Sequence, residues 1–142
     1  MIVPVPSHLV GLVSDRIGWA LASFSESGET TPEDLLREIE ARDRQLWLAV
    51  NGSDVMAVIL TRVCANRLGT VEVTHCAGHD RKDWQDAAFR AIMHWALDRG
   101  SQRVRVVARP GWSKFLKGKG FRETHRILEA DIGPDEHADD EK

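Results

Sequence analysis

The sequence predicts an α+β fold, a three-layer domain in which a mixed sheet of six or seven strands carries helices on both faces. Three observations predict it. Apolar residues change repeatedly between spacings of three and four and a spacing of two, so helices and strands interleave. The resulting order, β-α-α-β-β-β-α-β-α-β, fits neither an all-helical nor an all-strand architecture. The central strands follow one another through tight turns while the next is reached through a helix, so antiparallel and parallel neighbours belong to one sheet.

The chain opens with a short strand in "MIVPV". Leu9, Val10, Val13, Ile17, Ala20, Leu21 and Phe24 then recur at helical spacing and predict an amphipathic helix. A second helix starts at "TTPED", with Thr31 as N-cap, Pro32 at the first helical position and acids in the first turn, followed by Leu35, Leu36 and Ile39. "QLWLAVNGSDVMAVILTRV" is two β-rich runs around a hairpin signal at Asn51-Gly52. With "TVEVTHCA" (70–77) after the turn "NRLG", residues 46–77 form a three-strand antiparallel meander. Trp84, Ala88, Ala91, Ile92, Trp95 and Ala96 make one broad stripe on a long helix closed by Gly100, and that stripe accounts for both tryptophans as core. A strand in "QRVRVVARP" (102–110) is followed by a short helix in "GWSKFLKGKG" and a last strand in "FRETHRILEADI" (121–132); the right-handed crossover through the long helix sets 102–110 parallel to "TVEVTHC". Gly120 is expected to cap that helix and Phe121 to enter the core.

At 142 residues, 42% hydrophobic and 29% charged, the chain suits a single globular domain. Its longest apolar runs, such as "VMAVIL", fall far short of the roughly 20 residues that span a bilayer. "MIVPVPSHLV" has no secretory pattern, so a cytoplasmic location and no membrane partner are expected. Cys64 and Cys76 are expected as reduced thiols, one near the meander turn and one far from it. The domain is expected over 1–132, and 133–142, with five acids and one lysine, as a disordered acidic tail. Residues 99–126 carry nine basic residues and one acid, Glu123. Arg103, Arg105 and Arg109 share a strand face, and Lys114 and Lys117 are expected outside on the short helix, as a solvated basic face or a nucleic-acid contact.

The element order, together with "WALDRGSQRVRVV" and the ending "FLKGKGF", resembles the GCN5-related N-acetyltransferase (GNAT) superfamily. The resemblance implies a GNAT-like sheet whose splayed strands admit an acyl group. It implies acetyl-CoA or another acyl-CoA as cofactor, no metal, and a small-molecule or protein amine as acceptor. It implies a general base on strand 70–77, for which Glu72 and His75 are the candidates. Cys76 and Ala77 on that strand, Arg81 and Lys82 at the start of the long helix, and Arg109 before the short helix are the implied acyl-CoA contacts. The family's Gly-rich pyrophosphate loop falls on "DRKDWQ", Asp80 to Gln85, which has no glycine; Asp80 and Asp83 there cap the helix and repel an anion. The chain has no tyrosine, Leu116 stands where the family often has one, and Arg109 replaces an asparagine.

Period-2 alternation places Glu72 and His75 on opposite faces, so both line one site only if a bulge intervenes. His75 is the better base by intrinsic pKa. "HCAGHD" matches no zinc spacing, and no metal is expected. Two functional classes therefore stand: an acyl-CoA-dependent N-acyltransferase, and a non-catalytic GNAT-like protein with protein partners in an assembly. The second resembles small phage-encoded proteins, including an internal virion protein of short-tailed phages, for which the location would be the virion.

Overall fold

Tight connections pair the strands in the order in which the chain makes them. In a computed structural model that describes residues 1–107, 110–124 and 128–132, β1 (Ile2–Val5), β2 (Gln45–Asn51), β3 (Asp54–Cys64), β4 (Thr70–Gly78) and β5 (Arg103–Val106) form one sheet in that spatial order. The first three pairings are antiparallel and β4–β5 is parallel. A 3₁₀ turn (Ser7–Leu12), α1 (Ser14–Phe24) and α2 (Pro32–Glu40) precede β2, α3 (Arg81–Asp98) joins β4 to β5, and α4 (Pro110–Lys117) follows. Two compact units result, residues 1–107 and 108–142.

Alternation along the strands builds two cores. Leu46, Leu48, Val58 and Leu60 pack with Ile17, Ala20 and Leu21 of α1 and Leu35 and Ile39 of α2. The intervening Trp47 turns to the other face, where its ring meets Trp95 of α3 edge-on at 5.6 Å and its indole N–H donates to Thr61 Oγ1. Buried Trp84, Ala88, Phe89, Ile92 and Ala96 show that α3 uses the expected stripe, with Phe89 added. The sheet is thus covered by α1 and α2 on one side and α3 on the other.

Capping chemistry sets the helix ends. Thr31 accepts from the Asp34 N–H while the Asp34 carboxylate accepts from the Thr31 N–H, a reciprocal box with Pro32 in the first turn. The Asp34 carboxyl is held below its usual pKa, first by that backbone N–H. In the second unit, the Phe121 N–H reaches Leu116 O and the Gly120 N–H reaches Lys117 O, with Gly120 at φ 90°, a Schellman ending. Lys114 and Lys117 are exposed.

Several expectations are corrected. The helix expected from Leu9 breaks at Val13, so a 3₁₀ turn precedes α1. The hairpin loop is Gly52-Ser53, one residue later than expected, because Asn51 still pairs with Asp54. The sheet has five strands among the described residues, not six or seven. Residues 121–124 and 128–132 form no strand, and Leu128 and Ile132 are 93% and 91% exposed; β-rich composition makes a strand only where a partner edge and a buried face accept it. Phe121 is half-buried rather than core. The tail 133–142 lies outside the described residues.

Candidate functional site

β4 carries the feature on which the site depends. Leu60 of β3 pairs with His75, but the next residue, Thr61, pairs with Val73, so Thr74 is an extra residue in β4. A single inserted residue reverses the alternation beyond it. Glu72, opposite Arg62, and His75, opposite Leu60, therefore share the face that α1 and α2 cover, and the expectation of opposite faces is corrected by the bulge. Cys76, opposite Ile59, lies on the α3 face, and Ala77 packs against the α1–α2 core.

The bulge also sets the hydrogen-bond partners of His75. Thr74 Oγ1 lies 3.2 Å from Leu60 O, 2.7 Å from Arg44 Nη1 and 2.9 Å from His75 Nδ1. The Arg44 guanidinium can only donate to the hydroxyl oxygen. When the hydroxyl proton goes to Leu60 O, the oxygen also accepts from Nδ1–H, the tautomer in which the lone pair of the neutral imidazole lies on Nε2. Burial, the first cause, and the charges of Arg44 and Arg62 hold the His75 pKa below its usual value, against a smaller opposing effect of Glu38. The ring rests on Phe24, centroids 4.9 Å apart, and Arg44 is itself anchored by Glu38 at 2.6 Å.

Glu72 is differently engaged. Its side chain is 7% exposed and bridges Arg62 at 2.9 Å and Arg105 at 3.2 Å, joining β3, β4 and β5. Cys64 Sγ lies 3.9 Å from the same carboxylate. Arg44, Arg62, Arg105 and Thr74 complete this polar cluster. Of these, sequence reasoning gave only Arg105, as part of a basic face; Arg44, Arg62 and Thr74 were missed, because their convergence depends on strand register.

Above the cluster the sheet opens. The parallel ladder runs from Thr70↔Arg103 to Val73↔Val106, with one further bond from the Val107 N–H to Val73 O. β4 continues to Gly78, and among the described residues no strand lies beside 74–78 on the side away from β3. His75 is thus two residues beyond the point where β5 leaves β4. Gly78 is needed at the end of this run, since a Cβ there would lie 2.6 Å from Met56 O and from Ala57 Cβ.

The start of α3 has no anion cradle. Asp80 adopts a left-handed conformation, φ 53°, and its carboxylate binds the His79 ring at 2.9 Å instead of capping the helix, contrary to the sequence expectation. The Asp83 N–H is taken by Asp80 O, and the Trp84 indole donates to His79 O. Arg81 and Lys82 are exposed. Cys76, whose thiol pKa burial pushes up to about 12 against the influence of Arg81, stays protonated. Cys64 and Cys76 are free, on opposite faces and about 17 Å apart along the ladder at ~3.3 Å per residue. Leu116 is buried and has no proton to give. Arg109 lies outside the described residues. Among the described residues no group of three or more His, Cys, Asp and Glu is placed to hold a metal ion, and no helix is long and apolar enough to cross a membrane.

No protein-family model matches the chain, and no curated protein sequence matches it. Solved structures do. The chain is similar to a ribosomal-protein-alanine N-acetyltransferase from Brucella melitensis biovar Abortus, with 12% identity and TM-score 0.70, over 94% of this chain and 99% of that one. It is similar to a GCN5-related N-acetyltransferase from Ralstonia eutropha, with 14% identity and TM-score 0.69, over 94% and 99%. An aminoglycoside acetyltransferase from an uncultured soil metagenomic sample, in complex with sisomicin, matches with 12% identity and TM-score 0.67, over 94% and 96%. The fold is that of the GCN5-related N-acetyltransferases.

Proposed function

We propose that the protein is an N-acyltransferase that moves an acyl group from a thioester donor, an acyl-CoA by the fold's precedent, to an amine, with His75 as the proton acceptor. The observation that carries this is the Thr74 bulge, which brings His75 onto the Glu72 face of β4, two residues beyond the last β4–β5 pair, with Nδ1 held by Thr74 Oγ1 so that Nε2 is the nitrogen left to take a proton. The edge of 74–78, which has no strand partner among the described residues, can align an extended amide-bearing arm as a neighbouring strand would. The amine nitrogen bonds to the thioester carbonyl carbon, the C–S bond breaks, and the amine's proton goes to His75 Nε2 and then to water. With Leu116 where the family that the sequence resembles often has a tyrosine, the departing thiolate takes its proton from solvent. Glu72 holds the three strands in place. The amine is a small molecule or a protein terminus, the two acceptor types that the neighbours' names carry.

The test is thiol release from acetyl-CoA over a panel of amines. His75→Gln should lower kcat by roughly 10²–10⁴ while leaving donor affinity and thermal stability close to wild type. A second reading, a non-catalytic member of the fold working through protein partners, is favoured by the glycine-free start of α3. It becomes first choice if calorimetric titration shows no acetyl-CoA binding and no thiol is released with any amine.

A further inference from the structure

The donor-binding elements disagree with one another, and the disagreement points to the donor's chemical class. Beside 74–78 the sheet offers an open backbone edge, which suits a neutral chain bearing amide groups. At the next turn, where the positive end of α3 would favour a pyrophosphate, the surroundings oppose one. Asp80, Asp83 and Asp86 set three carboxylates against the two cations Arg81 and Lys82. The Asp83 N–H is already used within the turn, and glycine is absent from 79–86. Further into the same helix, Gln85 Oε1 is buried and has no hydrogen-bond donor among the described residues. An orphaned acceptor calls for a donor, which a pyrophosphate cannot supply and an amide or hydroxyl can.

We infer that recognition of the donor ends at its acyl-pantetheine arm, and that a nucleotide pyrophosphate contributes nothing to binding. This rests on the acyltransferase reading above. The preferred donor is then any acyl-pantetheine thioester, with the 3′-phosphoadenosine diphosphate of CoA left in solvent beyond α3. The carboxylates of Asp80 and Asp83 offer the diphosphate no pairing, and its charges stay hydrated and screened in solvent.

Isothermal titration of the full chain with S-acetylpantetheine and with acetyl-CoA tests this directly. The two dissociation constants should agree within about threefold, and neither should change by more than about twofold between low and high salt, because no phosphate is paired. Asp80→Asn with Asp83→Asn should likewise leave the two constants within about threefold of each other. Acetyl-CoA binding about tenfold or more tighter than S-acetylpantetheine, with the difference lost in Arg81→Ala or Lys82→Ala, would overturn the inference while leaving the acyltransferase reading intact. Failure of both donors to bind would overturn both.

Discussion

Glu72 and His75, three residues apart on one strand face, illustrate how context divides the work of two candidate bases. Because Glu72 is buried between Arg62 and Arg105, Glu72→Gln should leave two guanidiniums with a weaker neutral acceptor. Both arginines retain access to water, so the expected loss is about 1–3 kcal/mol, measured by urea denaturation, rather than the larger cost of an isolated buried charge. His75 behaves oppositely. Its folded pKa lies below the ordinary 6.5, first through burial, so the unfolded chain binds the proton more readily. Stability attributable to this group should be complete above about pH 6.5, fall as the pH drops below it, and level off once the pH is under the folded pKa. Denaturation midpoints from pH 5 to 8 should show that slope, and His75→Gln should flatten it. An unchanged slope in the variant would assign the acid sensitivity to other groups. Of these residues, the sequence showed both candidates but not their roles, because Arg62 and Arg105 come from other strands and their convergence depends on register.

β4 is the element that most needed the structure. Its existence, its place in the meander and its parallel partner were all legible from β-branched alternation, the "NRLG" turn and the intervening helix. Its bulge was not, since "VEVTHC" contains no glycine or proline to mark one. The close of the same strand makes a sharper demand. Gly78→Ala would drive a Cβ to 2.6 Å from Met56 O and from Ala57 Cβ, and backbone cannot step aside as a flexible side chain does. A loss of about 1–3 kcal/mol in thermal or urea unfolding is expected, with reduced donor affinity because 74–78 moves with it. A wild-type melt for this variant would show that β3 and β4 separate more easily at this end than their register implies. At the start of α3, the sequence located the helix correctly and misassigned the cap: nothing in "GHDRKDW" reveals that Asp80 takes a left-handed conformation and turns its carboxylate to His79.

Across unit 1–107, two cores share one sheet, and β3 lies at its centre with strands on both sides. Native-state hydrogen exchange should therefore find the slowest amides in β3, at Val58, Ile59 and Leu60, which are buried from both faces. Residues of β1, an edge strand of four residues, should exchange much faster. Equal protection in β1 and β3 would mean that the unit opens only as a whole. The layered architecture was readable because it depends on periodicity and order, which survive at 12% identity to the solved structures. The junction of β4 and α3 was not readable in the same way, because it depends on which few backbone groups are left without partners.

Thr74 has a consequence for how the chain can change. On either side of it, positions of like parity share a face; across it, positions of unlike parity do. The strand therefore carries two reading frames, and the residue between them is the point at which one passes into the other. A substitution at 71 or 77 alters one side chain. An insertion or deletion between 73 and 75 would exchange the outward and inward sets of every later residue up to Gly78, moving the imidazole to the α3 side and the Cys76 thiol to the α1–α2 side in a single event. The facing of this strand is thus indifferent to point changes and exposed to changes of length.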